Sequence, residues 1–168
     1  VDSTTLQGRI GYFFKEEWGF EGLYASNSGE ENDTARSLRS DGTAGSTPFR
    51  RIVDEYAGAM ILWSPFYTKV NTFNKIIYLD LILGLGYATL TETNNRDEFL
   101  LGLDSAQKTE EHNGILWELG VNFFVNSSWH VRLDLTTIHY QAQRPSSTAA
   151  EDEYYSNFDL SLSVGMAF

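Results

Sequence analysis

A chain of 168 residues with a formal charge of −11 is sized for one domain, and its acidity disfavours binding to phosphate backbones, so no nucleic-acid partner is expected. It has no Cys, which excludes disulfides and thiolate metal sites, and its three His, at 112, 130 and 139, lack the HxH or helical HxxxH spacing of a zinc site. Aromatic residues make up 14% and Pro numbers three, a usage that favours strands over helices.

Period-two alternation of apolar and non-apolar residues recurs along the chain and predicts seven strands. The first, 5–14, sets Leu6, Gly8, Ile10, Tyr12 and Phe14 against Gln7, Arg9, Gly11 and Phe13. The second, 18–27, sets Trp18, Phe20, Gly22 and Tyr24 against Gly19, Glu21 and Leu23. The third, 51–63, is strand-like by composition, without a clear assignment of faces. The fourth, 76–91, carries Ile77, Leu79, Leu81, Leu83, Leu85 and Tyr87 on one face and Tyr78, Asp80, Ile82, Gly84 and Gly86 on the other. The fifth, 114–126, opposes Ile115, Trp117, Leu119, Val121, Phe123 and Val125 to Leu116, Glu118, Gly120, Asn122 and Phe124. In the sixth, 129–142, Trp129, Val131, Leu133 and Leu135 oppose His130, Arg132, Asp134 and Thr136. The seventh, 154–168, runs Phe158, Leu160, Leu162, Val164, Met166 and Phe168 against Asp159, Ser161, Ser163, Gly165 and Ala167. Residues 15–17, 64–74 and 126–128 form the shorter connections, and 28–50, 92–113 and 143–153 the longer, more polar ones. Alternating short and long connections predict an all-β, up-and-down antiparallel meander, one domain over 1–168.

No apolar run reaches the ~18–20 residues of a transmembrane helix. Mean hydropathy is −0.30, a value that a soluble protein and a membrane β-barrel share, because only alternate barrel residues meet lipid. The composition of the two faces separates these cases. The non-apolar face is mostly Gly, Ser, Ala and Asn with a few opposite charges, which suits a narrow interior. The apolar face is continuous Leu, Val, Ile and Phe, with aromatics near its ends. Phe14, Trp18, Trp63, Trp129 and Phe168 fall towards the short turns, and Tyr24, Tyr56, Tyr87, Trp117, Tyr140 and Tyr154 towards the long loops. Two such belts match the two interfaces of a bilayer.

The stretch GRIGYFFKEEWGFE (8–21), then SPFYTK (64–69) and YLDLILGLGYA (78–88), together with the terminal Phe168, resembles the small outer-membrane β-barrel proteins of Gram-negative bacteria. These are the OmpA/OmpX-like class and its outer membrane beta-barrel domain relatives. The resemblance implies a transmembrane barrel of eight antiparallel strands in the bacterial outer membrane, with a periplasmic N-terminus and long extracellular loops. It implies no catalytic residue and no cofactor. It implies membrane lipids, lipopolysaccharide included, as partners, and assembly machinery that reads Phe168. Seven strands place the two ends of the chain on opposite sides of the membrane, whereas single-chain bacterial barrels have even strand numbers. An open edge in lipid costs several kcal/mol per unpaired backbone group. The expectation is one further strand upstream, with a strand from another chain as the alternative.

Arg9, Glu21, Asp80, Glu118, Arg132 and Asp134 fall on the inner face and are expected to pair in a thin barrel. Gly8 and Gly22, with Gly58 or its neighbours Ala57 and Ala59 on the next strand, are read as a small-residue stripe on the lipid side, a candidate contact between copies of the chain. The favoured function is non-enzymatic: a structural or envelope-organising barrel, with a porin-like channel as the rival. A lipid-modifying enzyme is a further alternative. For it, Ser127, Ser128 and His130 lie at a short turn, and His139 has only Thr136 and Thr137 near it in sequence. The acidic loops carry no EF-hand pattern, and no metal site is expected. A soluble, lipocalin-like carrier is disfavoured by the polarity of the faces.

Overall fold

A computed structural model describes residues 2–30, 49–72, 75–96, 108–144 and 151–166. They form strands β1 (Asp2–Phe13), β2 (Trp18–Glu30), β3 (Arg51–Thr72), β4 (Lys75–Asn94), β5 (Lys108–Phe124), β6 (Trp129–Gln143) and β7 (Asp152–Met166). All belong to one seven-stranded sheet in sequence order, each strand antiparallel to the next.

Two tight turns are closed by local bonds. At 14–17, Phe14 N and Lys15 N donate to Trp18 O at 3.1 and 3.2 Å. At 125–128, Asn126 Oδ1 accepts from the backbone N–H groups of Ser128 and Trp129, both at 2.9 Å, as turn Asn residues do.

The connection expected over 64–74 is instead strand as far as Thr72. Phe66↔Leu81 through Thr72↔Lys75 continue the β3–β4 ladder after a register shift between Trp63 and Phe66. Pro65 lacks an N–H, so the ladder yields there as a bulge rather than ending. Ser64 N donates to Glu17 O at 2.8 Å across the first turn. Because β2 pairs with β3 only as far as Trp63, the hairpin projects beyond its neighbours. At the other end β5 begins at Lys108, not 114. Its first turns are polar, so they lack the apolar alternation that marks a strand in lipid.

The faces settle what each side meets. Leu160, Leu162 and Val164 on the outer face are 72, 75 and 69% exposed, while Glu118 and Asp134 on the inner face are 1 and 0% exposed. That polarity is the reverse of a protein in water. The interior is also more apolar than the small-residue reading implied: Leu62, Leu90, Leu116 and Ile138 are buried beside Ala25 and Ala88.

Side chains curl the sheet by bonding across its concave side. Tyr56 of β3 donates to Asp159 Oδ2 of β7 at 2.7 Å and accepts from Gln7 Nε2 of β1 at 3.2 Å. β1 and β7 face one another as the two sheet edges, separated by a gap of about 610 Å³ lined by Gln7, Asn27, Asp159, Ser161 and their neighbours. The seven strands are thus a curled sheet open at one seam, consistent with a barrel.

Candidate functional site: the charged interior

The inner residues of β1, β2, β5 and β6 meet in one ion network. Arg9 Nη1 lies 2.9 Å from Glu21 Oε1, 3.5 Å from Asp134 Oδ2 and in contact with Glu118. Arg9 Nη2 donates to Thr136 Oγ1 at 3.0 Å. Arg132 binds Glu21 Oε2 through Nη1 at 2.6 Å, Asp134 Oδ1 through Nε at 2.6 Å, and Glu118 through Nη2. Thr136 Oγ1 donates to Glu118 Oε2 at 3.1 Å. Two guanidiniums thus serve three carboxylates. Gly120 makes room for this, because a Cβ there would collide with Asp134 Oδ1.

Asp80, expected in the same network, does not join it. It lies on the inner face of β4 opposite Asn122, with Oδ1 lacking a hydrogen-bond partner. The reason is donor supply: Arg132 directs Nε and both terminal nitrogens to Asp134, Glu21 and Glu118.

A second interior cluster, towards the long loops, escaped the sequence reading. Glu92 of β4 is fully buried and bound by Arg51 Nε at 3.0 Å, His112 Nε2 at 3.1 Å and Tyr140 OH at 3.0 Å. Glu110 is met by Arg96 and Lys108, each at 3.1 Å, and by Asn94 Nδ2 at 2.9 Å. Arg51 also sits over the Tyr155 ring at 4.1 Å. Glu92, Glu110 and His112 present ligand atoms within 4.8 Å of one another. The cations Arg51, Arg96 and Lys108 already neutralise the two carboxylates, so a metal ion would have to compete with them. The signal was available: Glu92 and His112 keep the inward parity of Leu90 and Leu116 beyond the ends assumed for their strands, and Tyr140 keeps that of Ile138 within its own.

Two residues of the aromatic set are corrected. Tyr140, expected at the lipid interface, is 4% exposed and interior. Tyr56 is interior as well, at 1%. Phe14, Trp18, Tyr24, Trp63, Tyr87 and Trp129 are exposed, with Trp18 and Trp63 stacked at 5.9 Å, and Trp117 is partly exposed on the outer face. Phe168 lies outside the described residues. Gly58 is also corrected. The bulge between Val53 and Glu55 turns it inward, where a Cβ would press on Leu116 and Ala88. Ala57 and Ala59 take the outer positions beside Gly22, and Gly8 faces open space.

Of the residues considered for lipid chemistry, Ser127 and Ser128 are exposed in the turn, and His130 points inward beside Phe124. His139 does have a serine partner, which sequence proximity hid: Ser156 lies opposite it on β7, with Nδ1 and Oγ 2.7 Å apart.

An antiparallel meander with an apolar outer wall and an ion-paired interior defines an integral membrane β-barrel protein. The family model for the outer membrane protein beta-barrel domain matches residues 1–168, and the chain belongs to that family. Its location is the bacterial outer membrane. The crystal structure of Ail, the attachment invasion locus protein of Yersinia pestis, is similar over 95% of this chain and 79% of Ail, at 12% identity and a TM-score of 0.43. No curated protein matches the chain.

Proposed function

We propose that this protein is a non-enzymatic barrel with a structural, envelope-organising role, and that it does not conduct solutes. The observation carrying this reading is the transverse network of the interior. Arg9 on β1 reaches Glu118 on β5, and Arg132 on β6 reaches Glu21 on β2, so paired charges lie across the lumen rather than along it. An eight-stranded barrel is just wide enough for side chains to fill. In planar bilayers the purified protein is expected to give no single-channel steps at 100 mM salt or at 1 M, and discrete steps would favour the porin-like reading. Its partners on this proposal are membrane lipids, lipopolysaccharide among them, and the assembly machinery of the outer membrane.

The same proposal extends to self-association. Gly22 and Ala59 floor an apolar outer depression of about 700 Å³ whose walls are Ile10, Phe20, Ile61 and Tyr87. A close-approaching wall of a second copy fits such a floor. A Cβ at Gly22 meets only Ile10 Cγ2, at 3.9 Å, so Gly22→Trp is compatible with folding. The wild type is expected to run as a multimer in native mass spectrometry and Gly22→Trp as a monomer. A monomeric wild type, or a multimer untouched by the substitution, would remove this part of the proposal.

A further inference from the structure

Three side chains on the outer wall form a chain of hydrogen bonds across β5, β6 and β7. Trp117 Nε1 donates to His139 Nε2 at 2.8 Å, and His139 Nδ1 meets Ser156 Oγ at 2.7 Å. The register builds it: His139 and Ser156 are direct cross-strand partners, and Trp117 stands opposite Thr137, diagonal to His139. The indole and imidazole rings also stack, with centroids 6.4 Å apart.

The direction of the chain follows from its first member. An indole N–H can only donate, so Nε2 of His139 carries a lone pair, and a neutral imidazole then holds its proton on Nδ1. Nδ1–H therefore donates to Ser156 Oγ. This is the reverse of a serine nucleophile with its base, where the imidazole nitrogen accepts the serine's proton. Ser156 receives a hydrogen bond and keeps its own hydroxyl proton, which no acceptor among the described residues takes. A hydroxyl polarised through two preceding bonds is a strengthened donor.

Depth and charge select the acceptor. At about 2.5 Å of membrane depth per tilted residue, His139 stands about 25 Å from Trp129, at the far side of the apolar band. Its outer neighbours Ile115, Tyr154 and Phe158 are exposed. On the loop side, Glu151, Asp152 and Glu153 are exposed and repel phosphate. We infer that Trp117, His139 and Ser156 form a lipid-binding site that donates one hydrogen bond to the acyl-ester carbonyl oxygen of a lipid at the long-loop interface. The inference rests on the outer wall facing lipid, not on the proposed structural role or on self-association.

The test uses the full-length protein in bilayers holding equal amounts of diacyl and dialkyl-ether phosphatidylcholine, followed by native mass spectrometry of retained lipid. The two lipids share a headgroup, and only the first has carbonyls. The wild type is expected to retain the diacyl lipid about fivefold over the ether lipid. Ser156→Ala should bring the ratio to parity, and Ser156→Thr should preserve it. A heat-modifiable band on gels checks that each variant is folded. Parity in the wild type, or an unchanged ratio in folded Ser156→Ala, overturns the site. Equal, Ser156-dependent retention of both lipids assigns the contact to phosphate and overturns the carbonyl. Release of fatty acid that Ser156→Ala abolishes makes Ser156 a nucleophile and overturns the donor role. Wild-type protein that stays dispersed without detergent would undo the outer-wall reading on which the site depends.

Discussion

Arg132→Met is expected to destabilise the folded barrel by about 3–5 kcal/mol, the cost of leaving buried charge without its partner. Arg132 serves Glu21, Glu118 and Asp134 at once, all of them nearly or fully buried. Its loss leaves Arg9 alone against three nearly or fully buried carboxylates. The check is urea unfolding in phospholipid vesicles, followed by loss of the heat-modifiable band. The triple variant Arg132→Met, Glu21→Gln, Glu118→Gln should recover much of the loss, because it removes the orphaned charges along with the cation. Equal destabilisation of the single and triple variants would mean that Arg132 acts by packing its stem, and that the network is not electrostatic.

Leu133→Arg is expected to cost about 2–4 kcal/mol, a value set by depth rather than by neighbours. Leu133 is on the outer face of β6, between Val121 of β5 and Leu162 of β7, about 10 Å from the Trp129 level. Val125→Arg, at the turn, should cost about 0–1 kcal/mol in the same assay, since the guanidinium there reaches water. In an aqueous protein both exposed positions would tolerate Arg within about 0.5 kcal/mol. A flat response across the two sites would therefore contradict an outer wall in lipid.

Much of the architecture was legible because lipid imposes a strict period. On β1, β2, β5, β6 and β7 the alternation assigned the faces correctly, down to Glu21, Glu118, Arg132 and Asp134 pointing inward. It faltered where the backbone breaks period. The bulge at Val53/Glu55 shifts the parity of β3, so neither Gly58 nor Tyr56 could be placed by counting. The bulge at Trp63/Phe66 made a continuing strand look like a connection. It also faltered where the strands leave the membrane. Above the lipid band an outer face needs no apolar residues, so KTEEH at 108–112 read as a loop, and the Glu92 cluster with it.

The sequence by itself determined the class, because the alternation of faces, the unequal connections and the charges on the inner face each follow from local side-chain chemistry along one strand. Which charges pair was decided only by tertiary structure, since a guanidinium has a fixed number of donors and reach across the lumen allots them. By inner parity alone Asp80 was equal to Asp134, yet Arg132 spends its donors on Asp134, Glu21 and Glu118. The same holds for Trp117, His139 and Ser156. They lie on three strands, and the register between those strands, which no single strand's pattern encodes, brings them into one hydrogen-bonded line.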